Sequence, residues 1–205
     1  MEPSVHEFVK FVEVNKHIST KNEMIAAVSS RFAMARDGRA LFHTDSFAVV
    51  FCYSKNSAFS NAVLSLSKLE KYVGMPCFVV LVRKNLDNVI YLINTTFLDK
   101  ISHSSQNLRA DNIRGSFLGG NIRKELPEIG KRNIPADFDE LFSYHQTFTW
   151  QENIERLVEN TNNIKSNKAK VVLDDAELRN VFEAPERAVR FVTSADYDAC
   201  WQTCG

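Results

Sequence analysis

The sequence predicts a mixed α/β (α+β) fold: a central mixed sheet, helices packed on it, and a helical C-terminal part. Two runs, Phe47–Tyr53 and Cys77–Val82, are apolar at nearly every position, which marks strands covered on both faces rather than half-exposed ones. Between them Phe59, Ala62, Val63, Leu66 and Leu69 recur at helical spacing, so Ser57–Tyr72 reads as a helix. A strand–helix–strand order favours parallel pairing of the two strands through a right-handed crossover.

The flanking elements follow from caps and periodicity. Ser4 with Glu7 reads as a capping box ahead of Val5, Phe8, Val9 and Val12, predicting a helix over 4–14. Thr20 with Glu23 repeats the device and opens a second helix, Lys21–Ala35, striped by Met24, Ile25, Val28 and Phe32. Asp37-Gly38 supplies a turn, after which Ala40–Phe42 is a short strand joined to Phe47–Tyr53 near Thr44-Asp45. Gly74 and Pro76 end the central helix, Asn85–Asn88 makes a turn, and Val89–Ile93 returns antiparallel to Cys77–Val82. Beyond Thr96 the periodicity dissolves into a polar, glycine-bearing loop over 101–124, the kind of segment a rigid scaffold uses for binding. A helix begins at Pro135-Ala136-Asp137, and Thr149 with Glu152 caps another over 150–160. The polar stretch 160–170 is the linker candidate, which divides the chain into a domain of residues 1–160 and a C-terminal segment of 161–205 with helices at 174–182 and 185–192. The ending at Cys204-Gly205 leaves a short natural chain and a fragment of a longer protein both open.

Charge narrows the function classes. The 205 residues carry 25 basic and 25 acidic side chains, so the chain as a whole has no basic signature, and attraction to phosphate has to come from local patches. Residues 101–132 hold six basic and three acidic residues, net +3, whereas 151–205 hold seven basic and ten acidic ones, net −3. The start of the chain is not a basic region followed by an apolar run, and no apolar stretch approaches the ~20 residues that span a bilayer. The expected location is cytoplasmic, with no membrane partner. Cys52 and Cys77 fall in buried strands, and the Cys200/Cys204 pair has no further ligands nearby, so no metal site is expected from the cysteines.

The element order from Lys21 to Val82 resembles the core of the PD-(D/E)XK nuclease superfamily. That resemblance implies an acidic residue opening one strand and a Glu-x-Lys closing the next, and it assigns Asp45 and Lys55 as candidate catalytic residues. Tyr53 occupies the glutamate position, and a phenol is not a hard carboxylate ligand for magnesium. The wording of 59–67, 94–98, 101–105 and 111–122 is similar to bacterial restriction endonucleases and related DNA-targeting proteins. This likeness implies a DNA-recognition or nuclease module, alone or with a separate catalytic segment or subunit. Double-stranded DNA is the expected partner, with no cofactor, or Mg if the chain is a type II-like endodeoxyribonuclease.

The residues themselves add a physical case. Arg109 and Arg114 carry forked donors suited to phosphate or guanine edges; Gln106 and Asn112 suit adenine or backbone oxygens. Ser104, Ser105 and Ser116 are phosphate donors that set register without reading sequence, and Lys55 and His103 complete the expected nucleic-acid set. A metal-dependent nuclease drawing on Asp45 with Asp111 or Glu70, and a protein-interaction domain, are the alternatives.

Overall fold

The computed structural model describes residues 1–38, 40–55, 61–64, 66–98, 107–109, 113–116, 133–162, 169–171 and 188–193. Its centre is a five-stranded mixed sheet built from β1 (Ala35–Asp37), β2 (Leu41–His43), β3 (Ala48–Ser54), β5 (Cys77–Arg83) and β6 (Val89–Leu92) in the spatial order β1-β2-β3-β5-β6. Every neighbour pair is antiparallel except β3 and β5, which run parallel in register from Ala48 opposite Cys77 to Ser54 opposite Arg83. The parallel pairing and the buried, both-face-apolar character of these two strands are those expected from their composition.

Helices cover both faces. Helices α1 (Pro3–Val14) and α2 (Lys21–Phe32) pack on the face carrying Phe42, Phe47, Val49, Phe51, Phe78, Val80 and Val82. They are joined there by α4 (Phe138–His145), which follows a 3-10 turn at Pro135–Asp137. The opposite face, with Leu41, Ala48, Val50, Cys77 and Val79, is covered by α3 (Leu66–Lys71) and α5 (Trp150–Asn162) through Leu69, Ile154 and Leu157. Between β6 and α4 a 3-10 turn spans Thr95–Phe97. No helix among the described residues is long and apolar enough to cross a membrane.

Caps explain several boundaries. Thr20 accepts the Glu23 amide at 3.3 Å, and at α5 the box is reciprocal: Glu152 N donates to Thr149 Oγ1 and Thr149 N to Glu152 Oε2. The box expected at Ser4 is not formed. Pro3 starts α1 with Glu2 as the N-cap residue, because its ring presets a helical φ and it has no amide hydrogen to satisfy. Helix α2 stops at Phe32, three residues before the expected end, since Ala33 turns left-handed at φ 48° and releases Ala35–Asp37 to form edge strand β1. Gly38, at φ 74°, makes the β1–β2 turn.

Three buried asparagines close gaps in the sheet. Asn94 accepts the Cys77 amide and donates to Met75 O, and Asn133 both accepts from and donates to the Leu92 backbone, standing in for a strand on the outer edge of β6. Asn88 binds the chain between α1 and α2 and is described with the site below.

Three expected elements are replaced. The helix at 57–72 gives way to β4 (Asn61–Leu64) followed by the short α3. A short apolar run such as Ala62-Val63-Leu64 suits either state, and the serines around it lower helix propensity. The loop after Thr96 contains β7 (Asn107–Arg109) and β8 (Ile113–Ser116). The helix at 185–192 is overwritten by β10 (Ala188–Thr193), whose β-branched and aromatic residues favour the pleat. With β9 (Ala169–Val171), β10 and β7 form an antiparallel sheet of order β7-β10-β9, while β4 pairs with β8. The remaining helix, at 174–182, lies outside the described residues.

Candidate nucleic-acid interface

Parallel strands end together. Because Ser54 and Arg83 are register partners, the residues that follow, Lys55 and Lys84, leave the sheet side by side, with the Lys84 amide donating to Ser54 O at 3.1 Å. Neighbouring strands lie about 4.8 Å apart, so Lys55, Arg83 and Lys84 form one cationic edge at the carboxyl ends of β3 and β5. In open α/β sheets that is the end at which ligands bind.

The turn beyond β5 is braced from within. Asn85 is left-handed at φ 66°, Arg83 Nε donates to Asp87 O at 2.7 Å, and the Arg83 amide donates to Asn88 Oδ1 at 2.9 Å. Asn88 also fixes the α1–α2 connection: its amide donates to Lys16 O and its Nδ2 to Ile18 O. An ion pair of 2.7 Å joins Lys16 to Asp87, and the carboxylate holds the lysine protonated above its ordinary range. The result is an open groove of about 610 Å³ lined by His17, Ser19, Arg83, Asn85, Leu86 and Asp87. Arg83 and Asp87 line it, and Lys16 reaches the Asp87 carboxylate from the α1–α2 connection. Two large side chains stand exposed at the same end, Tyr53 at 39% and Leu86 at 46%.

The expected site residues separate into groups. Lys55 is exposed on this edge. The backbone of Arg109 lies in β7 opposite Ala188, and Arg114 and Ser116 lie in β8 opposite Val63 and Asn61, so the two arginines belong to different sheets. His103, Ser104, Ser105, Gln106 and Asn112 lie outside the described residues, as does Asp111. Asp45 is exposed in the β2–β3 turn, which is shaped by Thr44: its amide donates to Phe47 O, and its Oγ1 accepts the amides of Ser46 and Phe47. Asp45 and Lys55 flank opposite ends of seven-residue β3, which at ~3.3 Å per residue puts them roughly 20 Å or more apart. They are not brought together around one ion. Glu70, on α3, has its carboxyl pushed up by burial. Among the described residues no group of three His, Cys, Asp or Glu side chains is placed to hold a metal ion.

A second cluster was not anticipated. Asp37, at the end of edge strand β1, accepts hydrogen bonds from Lys68, from Lys71 at 3.0 Å and from the Tyr72 hydroxyl at 2.8 Å. These bonds, Lys68's first, hold its carboxyl far below the usual carboxylate range. The cluster ties the edge strand to the end of α3 and lies away from the groove, so we assign it to holding the edge of the sheet in place.

Arg83, Lys84, Asn85 and His17 are the residues of this candidate surface that reading the sequence missed. The signal was present in the predicted parallel pair: once two strands are adjacent and parallel, the residues just beyond both become one surface. No protein-family model, no curated protein and no solved structure matches the chain.

Proposed function

We propose that this chain binds double-stranded DNA, as the recognition module of a restriction-type DNA-targeting protein of the cytoplasm. The observation that carries the reading is the cationic edge of Lys55, Arg83 and Lys84 at the carboxyl ends of β3 and β5, of which Arg83 also lines the groove with His17, Ser19 and Asn85. Lysine and arginine on such an edge engage phosphates, and hydroxyl and amide groups beside them fix register. The restriction-type assignment rests on the likeness of phrasing between Phe47 and Ile122. In this reading the basic segment 101–124 supplies the further contacts, with Arg109 and Arg114 first among them. The nuclease alternative loses its simplest pair, since Asp45 and Lys55 stand at opposite ends of one strand.

Salt dependence tests the proposal quantitatively. Each phosphate neutralised contributes about 0.9 to the slope of log affinity against log salt, so three cations contribute roughly 2.7. Between about 50 and about 200 mM salt that amounts to about a 40-fold change in affinity. Fluorescence anisotropy on a random duplex should show wild-type binding that weakens steeply with salt, and a K55A/R83A/K84A variant whose slope is shallower by about that amount. The K55A/K84A pair, which spares the Arg83 brace, should account for about two-thirds of the change. Absence of salt-sensitive duplex binding by the wild type, or an unchanged slope in both variants, overturns the assignment.

A further inference from the structure

His145 is the last residue of α4 and is 2% exposed, so its ring can be charged only at a high cost in solvation. Its Nε2 lies 2.9 Å from Val73 O, and a carbonyl can only accept, so Nε2 carries a hydrogen. Its Nδ1 is hydrogen-bonded to Thr96 Oγ1. Thr96 Oγ1 also lies 2.7 Å from Oδ1 of Asn153, a fully buried side chain on α5. A neutral ring therefore presents Nδ1 as an acceptor, Asn153 presents Oδ1 as an acceptor, and the threonine between them has one hydroxyl hydrogen to give.

Two arrangements satisfy all three groups while keeping the threonine hydrogen within the trio. With a protonated ring, Nδ1–H donates to Thr96, and Thr96 donates to Asn153 Oδ1. With a neutral ring, Thr96 donates to Nδ1, and the Asn153 amide turns over so that Nδ2–H donates to Thr96. The second arrangement also answers a buried group that otherwise lacks a partner. With Oδ1 on Thr96, the buried Asn153 Nδ2 has no partner, and neither do the hydroxyl of Thr95 and the indole N–H of Trp150. Turning the amide gives Nδ2 its acceptor and swings an acceptor oxygen away from Thr96. Trp150 sits one turn earlier on the same helix, and Thr95 is next to Thr96 in the chain.

We infer that His145, Thr96 and Asn153 form a proton-coupled latch, in which the charge of the ring and the orientation of the Asn153 amide change together. The latch joins four pieces: α4 on one face of the sheet, α5 on the other, the 3-10 turn after β6, and the Val73 carbonyl before β5. The ring packs against Phe97 and Phe142, which offer it no charge. The charged side chains of the surrounding elements have other engagements. On α4 Asp139 pairs with the N-terminus and His6; on α5 Glu152 caps Thr149 and Arg156 lies over the Phe148 ring; Lys68 and Lys71 of α3 hold Asp37. Glu70 of α3 is half-buried, and Glu140 of α4 is exposed. Burial lowers the ring's proton affinity, with the Val73 bond opposing it. The neutral arrangement thus holds above the ordinary histidine range and gives way as pH falls through the lowered folded value. Acid strands Nδ2 again and loosens the grip of α5, the helix that leads to β9.

Heteronuclear NMR on the wild-type chain reads both halves of the latch in one titration. The His145 ring nitrogens should report the Nε2–H form at neutral pH and protonate below the ordinary histidine range, and the Asn153 side-chain NH2 signals should shift with the same midpoint. N153D places a carboxylate on Thr96 that cannot turn into a donor while ionised, so it should raise the His145 midpoint above that of the wild type. In T96V the ring and the amide should titrate without each other. Asn153 signals that stay fixed while His145 titrates overturn the inference, whether or not the variants fold; so does an N153D midpoint no higher than wild type.

Discussion

Replacing Phe78 with alanine tests the account of the core where it is most specific. Phe78 is fully buried near the start of β5 and meets rings from three other parts of the chain: Phe8 of α1 at 5.5 Å, Phe138 of α4 at 5.5 Å and Phe47 ahead of β3 at 6.4 Å. Removing the ring withdraws its transfer free energy and leaves a cavity, which together cost about 3–5 kcal/mol for a buried Phe→Ala. Aromatic pairs add roughly 0.5–1.5 kcal/mol each beyond area, and three are lost at once, which places F78A toward the top of that range, near 5 kcal/mol. For a domain whose total stability is about 5–15 kcal/mol, that is a third of it or more. Urea unfolding followed by circular dichroism should show a lowered midpoint with an unchanged slope. L86A, at an exposed position on the β5–β6 turn, is the control and should stay within about 0.5 kcal/mol of wild type. An F78A loss below about 2 kcal/mol would mean that the three helix and strand contacts do not converge on this ring.

Two further outcomes follow from the titrating groups. Asp37 has its carboxyl depressed by Lys68, Lys71 and Tyr72, so the folded state holds it ionised more strongly than the unfolded chain does. That stability is whole above the ordinary carboxylate range and drains away as pH falls below about 4; urea midpoints of wild type and D37N should therefore differ at neutral pH and converge in acid. Equal midpoints at neutral pH would show that the cluster contributes nothing. Cys77 is wholly buried at the start of β5, which pushes its thiol up to about 12, so peptide mapping after mildly alkaline alkylation should find it unlabelled until urea unfolds the chain. Labelling in the folded protein would refute its burial.

The parts of this fold that were legible in the sequence are those whose signal is local. Phe47–Tyr53 and Cys77–Val82 announce buried strands because each carries its own evidence on both faces, and Thr20 and Thr149 announce helix starts because the capping partner stands three residues away. Strands β4, β7 and β8 carry no such evidence. Asn61 pairs with Ser116, and Arg109 with Ala188, so each short strand is defined by a partner far along the chain that a windowed periodicity does not see. Asn88, Asn94 and Asn133 were unreadable for the same reason: an asparagine looks like a turn residue until the backbone it bonds is known.

The candidate interface divides along the same line. Lys55 could be singled out because it closes a recognisable strand, but its neighbours Arg83 and Lys84 become neighbours only through the register that sets Ser54 opposite Arg83. Asp45 fails as a partner to Lys55 for the converse reason. Nearness in sequence made the two look like one site, whereas an extended strand spends about 3.3 Å on every residue and carries them to opposite ends of the sheet. Strand geometry thus both removes the pair that the nuclease resemblance required and creates the cationic edge on which the DNA-binding proposal rests. A salt slope left intact by K55A/R83A/K84A and by K55A/K84A would overturn that proposal.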